Sequence, residues 1–447
     1  MEIRRFYVRR TDSLQKSDSL FLNYATFSIQ WVSFSLVVLG IWFIRFPFIF
    51  KKVYAEDGNY LLMDALEKKN FGEFFDLAPG YSILIQRIGA KFISYFPLEA
   101  IPMAIALFSS ISLGYLAVGV FKLNNMPTQR LLSRLTLTLG FLFLPLSAFS
   151  AVGNVSNLYV YFMLASAVLL ASRESSKLGE SYKLSVYMIA VFSLPLCIFL
   201  VPIIISNCYR SYRATKTWKP TFTESLFIFG LTLHFLAIFL FSTVDRAPRG
   251  LQSIDKVVYL YLDRAIGSSL VPNWGFVSGT SDSIKIENSM FFTTGTFRLL
   301  ISGAVFALIV GLYLRFRRTL KSNENYFIQF FYILALVYSM LIGTLYNPEP
   351  RYMMLPAFIT FWLAVYLFDV ISQRNGLVYR SLHFALITVL ILGLNASYHR
   401  SIGPDWKNGL REAREQCKGA SANKIVKFRT LPLSPQTFYE TTCNALN

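Results

Sequence analysis

The sequence predicts an all-α, polytopic membrane protein with about eleven transmembrane helices, interfacial helices in the first outer loop and a small external C-terminal tail. Three observations carry that prediction. The 447-residue chain is 54% hydrophobic, with 42 phenylalanines and only 15% charged residues. Its charge-free runs are long enough to cross a hydrocarbon core of about 30 Å as helices. They are also longer than the roughly 10-residue alternating strands of an outer-membrane barrel, and lipid requires each spanning segment to satisfy its own backbone groups.

Residues 1–24 are basic, with Arg4, Arg5, Arg9 and Arg10, which places this end in the cytoplasm by the positive-inside rule. No small-residue cleavage site follows, so the first span, 25–50, is expected to be retained. Glu56 and Asp57 then open an outer loop over 51–98. In 58–69 the apolar residues Leu61, Leu62, Ala65 and Leu66 share one helical face and Asp64, Glu67 and Lys68 the other, as in a helix lying at a membrane interface. A second such helix is expected over 81–96. Its apolar stripe is Leu84, Ile85, Ile88, Phe92 and Phe96, opposed by Gln86, Arg87 and Lys91, a pattern that should float at the surface.

Further spans are predicted at 99–121, 131–151 and 154–171. The stretch Leu184 to Tyr209 carries no charge over 26 residues, about 39 Å as a helix. Both flanks are basic, with Arg173, Lys177 and Lys183 before it and Arg210, Arg213, Lys216 and Lys219 after it. Both ends are therefore expected in the cytoplasm, and the stretch becomes two short helices broken near Pro195. Spans at 222–243, 297–314, 327–346, 352–368 and 382–397 complete the set, leaving a second outer loop at 244–296 and an external tail at 398–447.

The formal charge of +18 is dispersed among membrane-flanking loops, so it reports topology and not nucleic-acid binding. Cys197 and Cys208 fall in the apolar helix pair, whereas Cys417 and Cys443 both fall in the tail and could form a disulfide in an oxidising compartment. No Gly-rich phosphate loop, no metal-ligand spacing of Cys and His, and no G-x-S-x-G elbow occurs.

The residues that could carry chemistry lie outside. Glu56 and Asp57, in Ala55-Glu56-Asp57-Gly58, suit a general base tuned by an apolar surround; the same pair also suits a helix cap, or a divalent cation. Asn347-Pro348-Glu349-Pro350-Arg351-Tyr352 forms a short outer turn that its prolines keep from continuing either helix. Arg351 there is either a snorkelling side chain or a guanidinium fork for a phosphate. Arg246 and Arg249 are further candidates for phosphate, and Arg87 with Lys91 pair on a helical face as headgroup anchors or as a steering patch for an anionic lipid. His234, in mid-span, reads as a hydrogen-bonded residue between helices.

An outer loop opening on Glu56 and Asp57, interfacial helices, a Pro-broken helix pair and the Pro350-Arg351-Tyr352 turn together resemble the GT-C glycosyltransferases. The chain looks most like their bacterial and phage serotype-converting branch, which decorates O-antigen in lipopolysaccharide. The resemblance implies an inverting hexosyltransferase of the bacterial inner membrane. It would take a sugar from a polyprenyl-phosphate donor to a hydroxyl of an outward-facing glycan, with an acid of the first outer loop at the catalytic centre and Arg351 on the phosphate. The donor, the glycan acceptor and the bilayer are then the partners, with no nucleic acid and no cofactor beyond a possible divalent cation. A transporter or flippase of a lipid-linked sugar and a polysaccharide polymerase or ligase are the competing classes.

Overall fold

The computed structural model describes residues 25–53, 82–122, 130–144, 152–172, 179–241, 257–258, 261–270, 277–280, 283–286, 294–318, 320, 322–345, 350–372, 376–393, 405–429 and 438–446. Glu56, Asp57, the helix expected at 58–69, Arg246 and Arg249 lie outside them.

Helix α1, Ala25–Arg45, ends where Pro47 cannot continue it, and a 3₁₀ turn Pro47–Phe50 follows. Helix α2 is Leu84–Ile93, α3 is Ile101–Phe121, α4 is Leu131–Phe143 and α5 is Leu158–Ala171. Helix α6, Glu180–Val191, stops short of a 3₁₀ segment Pro195–Leu200, from which α7, Val201–Thr215, turns back; the break falls where Pro195 and the basic flanks place it. The remaining long helices are α8, Phe222–Phe241, α9, Thr294–Phe316, α10, Ser322–Leu345, α11, Met354–Ile371, and α12, Gly376–Gly393. Among the described residues eight helices are long and apolar enough to cross a membrane, with α4 and α5 apolar but shorter. The chain is a mostly helical, multi-pass membrane protein.

Side-chain hydrogen bonds sort the helix ends into two groups. At the end where α1 starts, the Trp31 indole donates to the Ile111 carbonyl at 2.8 Å and the Tyr182 hydroxyl to the Tyr115 carbonyl at 2.9 Å. Asn207 of α7 donates there to the Leu170 carbonyl and to Glu224 Oε1, both at 2.8 Å. Thr221 and Glu224 form a capping box for α8: the Thr221 N–H donates to Glu224 Oε2 at 2.7 Å and the Glu224 N–H to Thr221 Oγ1 at 3.3 Å. At the opposite end the Arg45 guanidinium donates to the Ile391 carbonyl at 2.9 Å, in the last turn of α12, where carbonyls lack helical partners.

Two expected bounds shift, and the first is the span 25–50, whose helix stops at Arg45. The span 154–171 starts only at Leu158, because Gly153 adopts φ +57° and residues 152–157 form a turn. The helix expected over 81–96 is α2; of its apolar stripe Ile85 is buried, Leu84, Ile88 and Phe96 are half-buried and Phe92 is exposed. The helix buries Ile85, Gln86, Gly89, Ala90 and Ile93. Small side chains decide this: a Cβ on Gly89 would lie 2.5 Å from Val155 Cγ1 and 2.7 Å from Phe108 Cε1, so only glycine lets α2 settle so deeply.

The tail is built on α13, Trp406–Cys417, and a hairpin of Ile425–Arg429 with Phe438–Thr442; a second small hairpin pairs Val277–Thr280 with Ser283–Ile286. It shares the bundle's core through Trp406, Leu410, Ala413, Val426, Cys443 and Leu446. The Trp406 indole donates to the Leu98 carbonyl at 2.6 Å and its backbone N–H to the Lys51 carbonyl at 2.8 Å, so the tail sits at the end of the bundle where α1 finishes. Cys417 and Cys443 are bonded. Closing this 26-residue separation is worth roughly 3 kcal/mol. Replacing both cysteines by serine is expected to make the tail several-fold more sensitive to limited proteolysis while leaving the bundle's melting temperature unchanged; unchanged cleavage would show that the contacts of Trp406 hold the tail by themselves.

Arg414 Nη1 also donates to Glu99 Oε1 at 2.5 Å, an exposed ion pair that contributes little to stability.

Candidate functional site at the tail end of the bundle

The turn Val152-Gly153-Asn154-Val155-Ser156-Asn157 is the structural centre of this end. Asn154 and Asn157 are fully buried, and Ser156 nearly so. The Asn154 side-chain oxygen accepts the Ser156 hydroxyl and, at 3.3 Å, the Asn157 N–H. These local bonds offer the backbone an alternative to helix, which is why the polar residues stop α5 from starting earlier.

Three otherwise distant segments meet this turn. Ile49, in the 3₁₀ turn after α1, packs on Gly153, where a Cβ would lie 2.8 Å from Ile49 Cδ1. Gln86 of α2 donates from Nε2 to the Ser156 carbonyl at 3.3 Å, and Gly89 seats α2 on Val155. Arg351 donates from Nη1 to Asn157 Oδ1 at 3.0 Å. Arg351 lies in the 3₁₀ turn Pro350–Met353 that leads into α11, half-buried, with its guanidinium carbon 5.4 Å from the centre of the Tyr352 ring. A π-helical turn, Tyr261–Gly267, packs beside this segment and α11.

Helix α2 is itself held from two sides. Its first amides are received by the Pro195 break: Leu84 N–H donates to the Phe192 carbonyl at 3.2 Å and Ile85 N–H to Ser193 Oγ at 3.0 Å. Ser82 N–H donates to His234 Nε2 at 3.1 Å, so the ring proton sits on Nδ1, which donates to the Val191 carbonyl at 2.5 Å. His234 is thus the hydrogen-bonded residue between helices that its position suggested.

Of the expected phosphate-binding residues, Arg351 joins the buried turn directly, and α2 brings Arg87, half-buried, to the same neighbourhood. Lys91 is turned away to Tyr95, its ammonium 5.9 Å from the ring centre. Lys52, where the described chain leaves toward Glu56, has its ammonium pushed below the ordinary range by burial, partly opposed by the Asp405 carboxylate. Asn154, Ser156 and Asn157 are not singled out by the sequence analysis, and their signal is a Gly-Asn-x-Ser-Asn run between two apolar stretches; Gln86 is expected only as part of the polar face of α2. Among the described residues no group of three His, Cys, Asp or Glu side chains could hold a metal ion.

Chemically, a planar guanidinium oriented by a buried amide at the rim of an apolar bundle suits recognition of a tetrahedral anion, with five N–H donors in one plane. Neither a protein-family model, a curated protein nor a solved structure matches the chain.

Proposed function

We propose that the chain is an inverting membrane glycosyltransferase of the GT-C type, moving a hexose from a polyprenyl-phosphate donor to a hydroxyl of an outward-facing glycan such as O-antigen. The observation that carries this reading is the convergence of α2, the residues before Glu56 and Arg351 on one buried turn. In this reading eleven helices span the bacterial inner membrane, the N-terminus is cytoplasmic, and the tail with its disulfide faces the oxidising side. Val53 is buried where the described chain leaves toward Glu56 and Asp57, three and four residues on, distances that an extended chain covers in at most about 11 and 14 Å.

Glu56 or Asp57 removes the acceptor proton, the freed oxygen attacks the anomeric carbon, and the bond from that carbon to the phosphate oxygen breaks. Arg351 stabilises the charge gathering on the departing polyprenyl phosphate, with Arg87, Arg246, Arg249 and Lys91 as the surrounding basic set. If a divalent cation takes part, the same two acids would hold it. Changing Glu56 to Gln and Asp57 to Asn together is expected to reduce transfer from a labelled polyprenyl-phosphate sugar by at least about 10³-fold, with membrane insertion intact. Retained transfer would overturn the assignment.

A flippase of a lipid-linked sugar is the second reading, favoured by the buried Asp369 and His383 within the bundle. Movement of a labelled donor across vesicles, undiminished in the double amide variant, would support it instead.

A further inference from the structure

At the end of the bundle where α1 starts, α7 ends at Thr215 and α8 begins at Phe222, so a short link joins them. The apolar stretch Pro195–Arg213 and α8 are each long enough to cross a membrane, which puts this link at a membrane surface. Its charge has one sign. No carboxylate occurs from Ser181 to Thr223, whereas Arg210, Arg213, Lys216 and Lys219 gather here, all exposed. The next acid, Glu224, is buried and spends its oxygens on Asn207 and on the Thr221 N–H.

The uncovered face of α7 changes character along its length. Ile205, Tyr209, Tyr212 and Arg213 succeed one another at helical spacing, with Lys216 a turn beyond, and all are exposed. Over roughly 16 Å of axis this face passes from aliphatic through aromatic to cationic, the order of hydrocarbon, interface and headgroup. Lys216 then takes φ +59°, and its N–H donates to the Tyr212 carbonyl at 2.7 Å. This left-handed residue ends the helix and turns the chain back along it. Trp218 is thereby laid over α7, its ring centre 5.4 Å from that of Tyr212 and 6.3 Å from that of Tyr209. The Lys216 ammonium stands 5.7 Å from the centre of the Tyr212 ring. The rings support one another and still face outward.

We propose that this platform is a docking surface for anionic phospholipid headgroups. Tyr209, Tyr212 and Trp218 seat at headgroup level, where amphipathic rings are favoured, and Arg213, Lys216 and Lys219 reach the lipid phosphates. Charge complementarity names the occupant: a membrane surface rich in acidic lipid attracts each of these cations, and the stretch carries no carboxylate to compete for them. The rings distinguish this surface from a plain basic flank, because they fix the depth at which the cations sit. It lies at the opposite end of the bundle from Arg351 and the tail, so it holds or fails independently of the transferase reading.

The test reconstitutes the full chain in bilayers of phosphatidylcholine mixed with phosphatidylglycerol and counts the lipids it retains by native mass spectrometry. One variant combines Arg213→Gln, Lys216→Gly and Lys219→Gln; glycine accepts the left-handed backbone, so the turn is kept. A second combines Arg315→Gln, Arg317→Gln and Arg318→Gln, removing the same charge at the end of α9. The first is expected to lower the preference for phosphatidylglycerol by at least about 5-fold, and the second by no more than about 2-fold. Equal losses in the two, or none in the first, would overturn the proposal. A second readout leaves the charges in place. Emission belonging to Trp218, taken as the difference from Trp218→Phe, should be quenched more by lipids brominated near the headgroup than by lipids brominated at the chain ends. Absent quenching, or no excess from the shallow bromines, would also overturn it.

Discussion

A Gly114→Val variant is expected to lose the attachment of α1 and to melt far below the wild type, by an amount corresponding to about 3 kcal/mol or more. A Cβ at this position of α3 would lie 2.2 Å from Ser35 Oγ, 2.8 Å from the Ser35 nitrogen and 2.9 Å from the Trp31 carbonyl oxygen. The last two are backbone atoms of α1, so no side-chain rotation relieves the overlap, and the helices must move apart. Separation would also break the bond from the Trp31 indole to the Ile111 carbonyl. In lipid, apolar burial does not drive one helix onto another, and close van der Waals contact between small residues takes its place. Helix α1 depends on this especially, because Ile29, Val32, Leu36, Phe43 and Ile44 all point away from the bundle. Gly40→Val is the matched control: it lies on α1 itself, and nothing stands within 4 Å of its Cβ position. Melting curves in detergent that coincide for the two variants would remove Gly114 as the contact that fixes α1.

The parts of this architecture written in local sequence are the ones that sequence reasoning reached. Charge-free runs locate the helices because lipid penalises every charge inside them, and the basic flanks of Leu184 to Tyr209 locate the break at Pro195 because one straight helix would put them on opposite sides. Shape is less legible. The stripe expected on α2 ranked residues by hydrophobicity, whereas the buried face follows Gly89 and Ala90, the residues that let Val155 and Phe108 approach. At Asn154 the sequence predicts helix because the apolar run outweighs a few polar residues, and only the folded backbone reveals that Gly153 has crossed to the left-handed region. Least legible are pairings between distant positions. Trp406 with Leu98, Arg351 with Asn157, and Ser133 with His383 are separated by 308, 194 and 250 residues, and one sequence carries no record of them.

That second pairing gives the other large expected effect. Arg351→Ala should lower transfer by about 10²- to 10³-fold if its guanidinium meets charge developing on a departing phosphate, the range typical for removal of one such donor. Arg351→Lys should recover little of this, since an ammonium is a point charge and cannot reproduce the planar fork oriented against Asn157 Oδ1. Asn157→Asp separates recognition of the phosphate from packing. The substitution keeps the shape of the side chain and still accepts from Arg351 Nη1, but it adds a negative charge that competes for the guanidinium with any anion. The donor KM should therefore rise by at least about 10-fold while the melting temperature holds, and Asn157→Ala should lower both stability and transfer, because it leaves a buried guanidinium bond unmade. An Asn157→Asp protein with wild-type KM for the polyprenyl-phosphate donor would mean that Arg351 binds no phosphate at all, and that its bond to the buried turn serves only to hold α11 against α5.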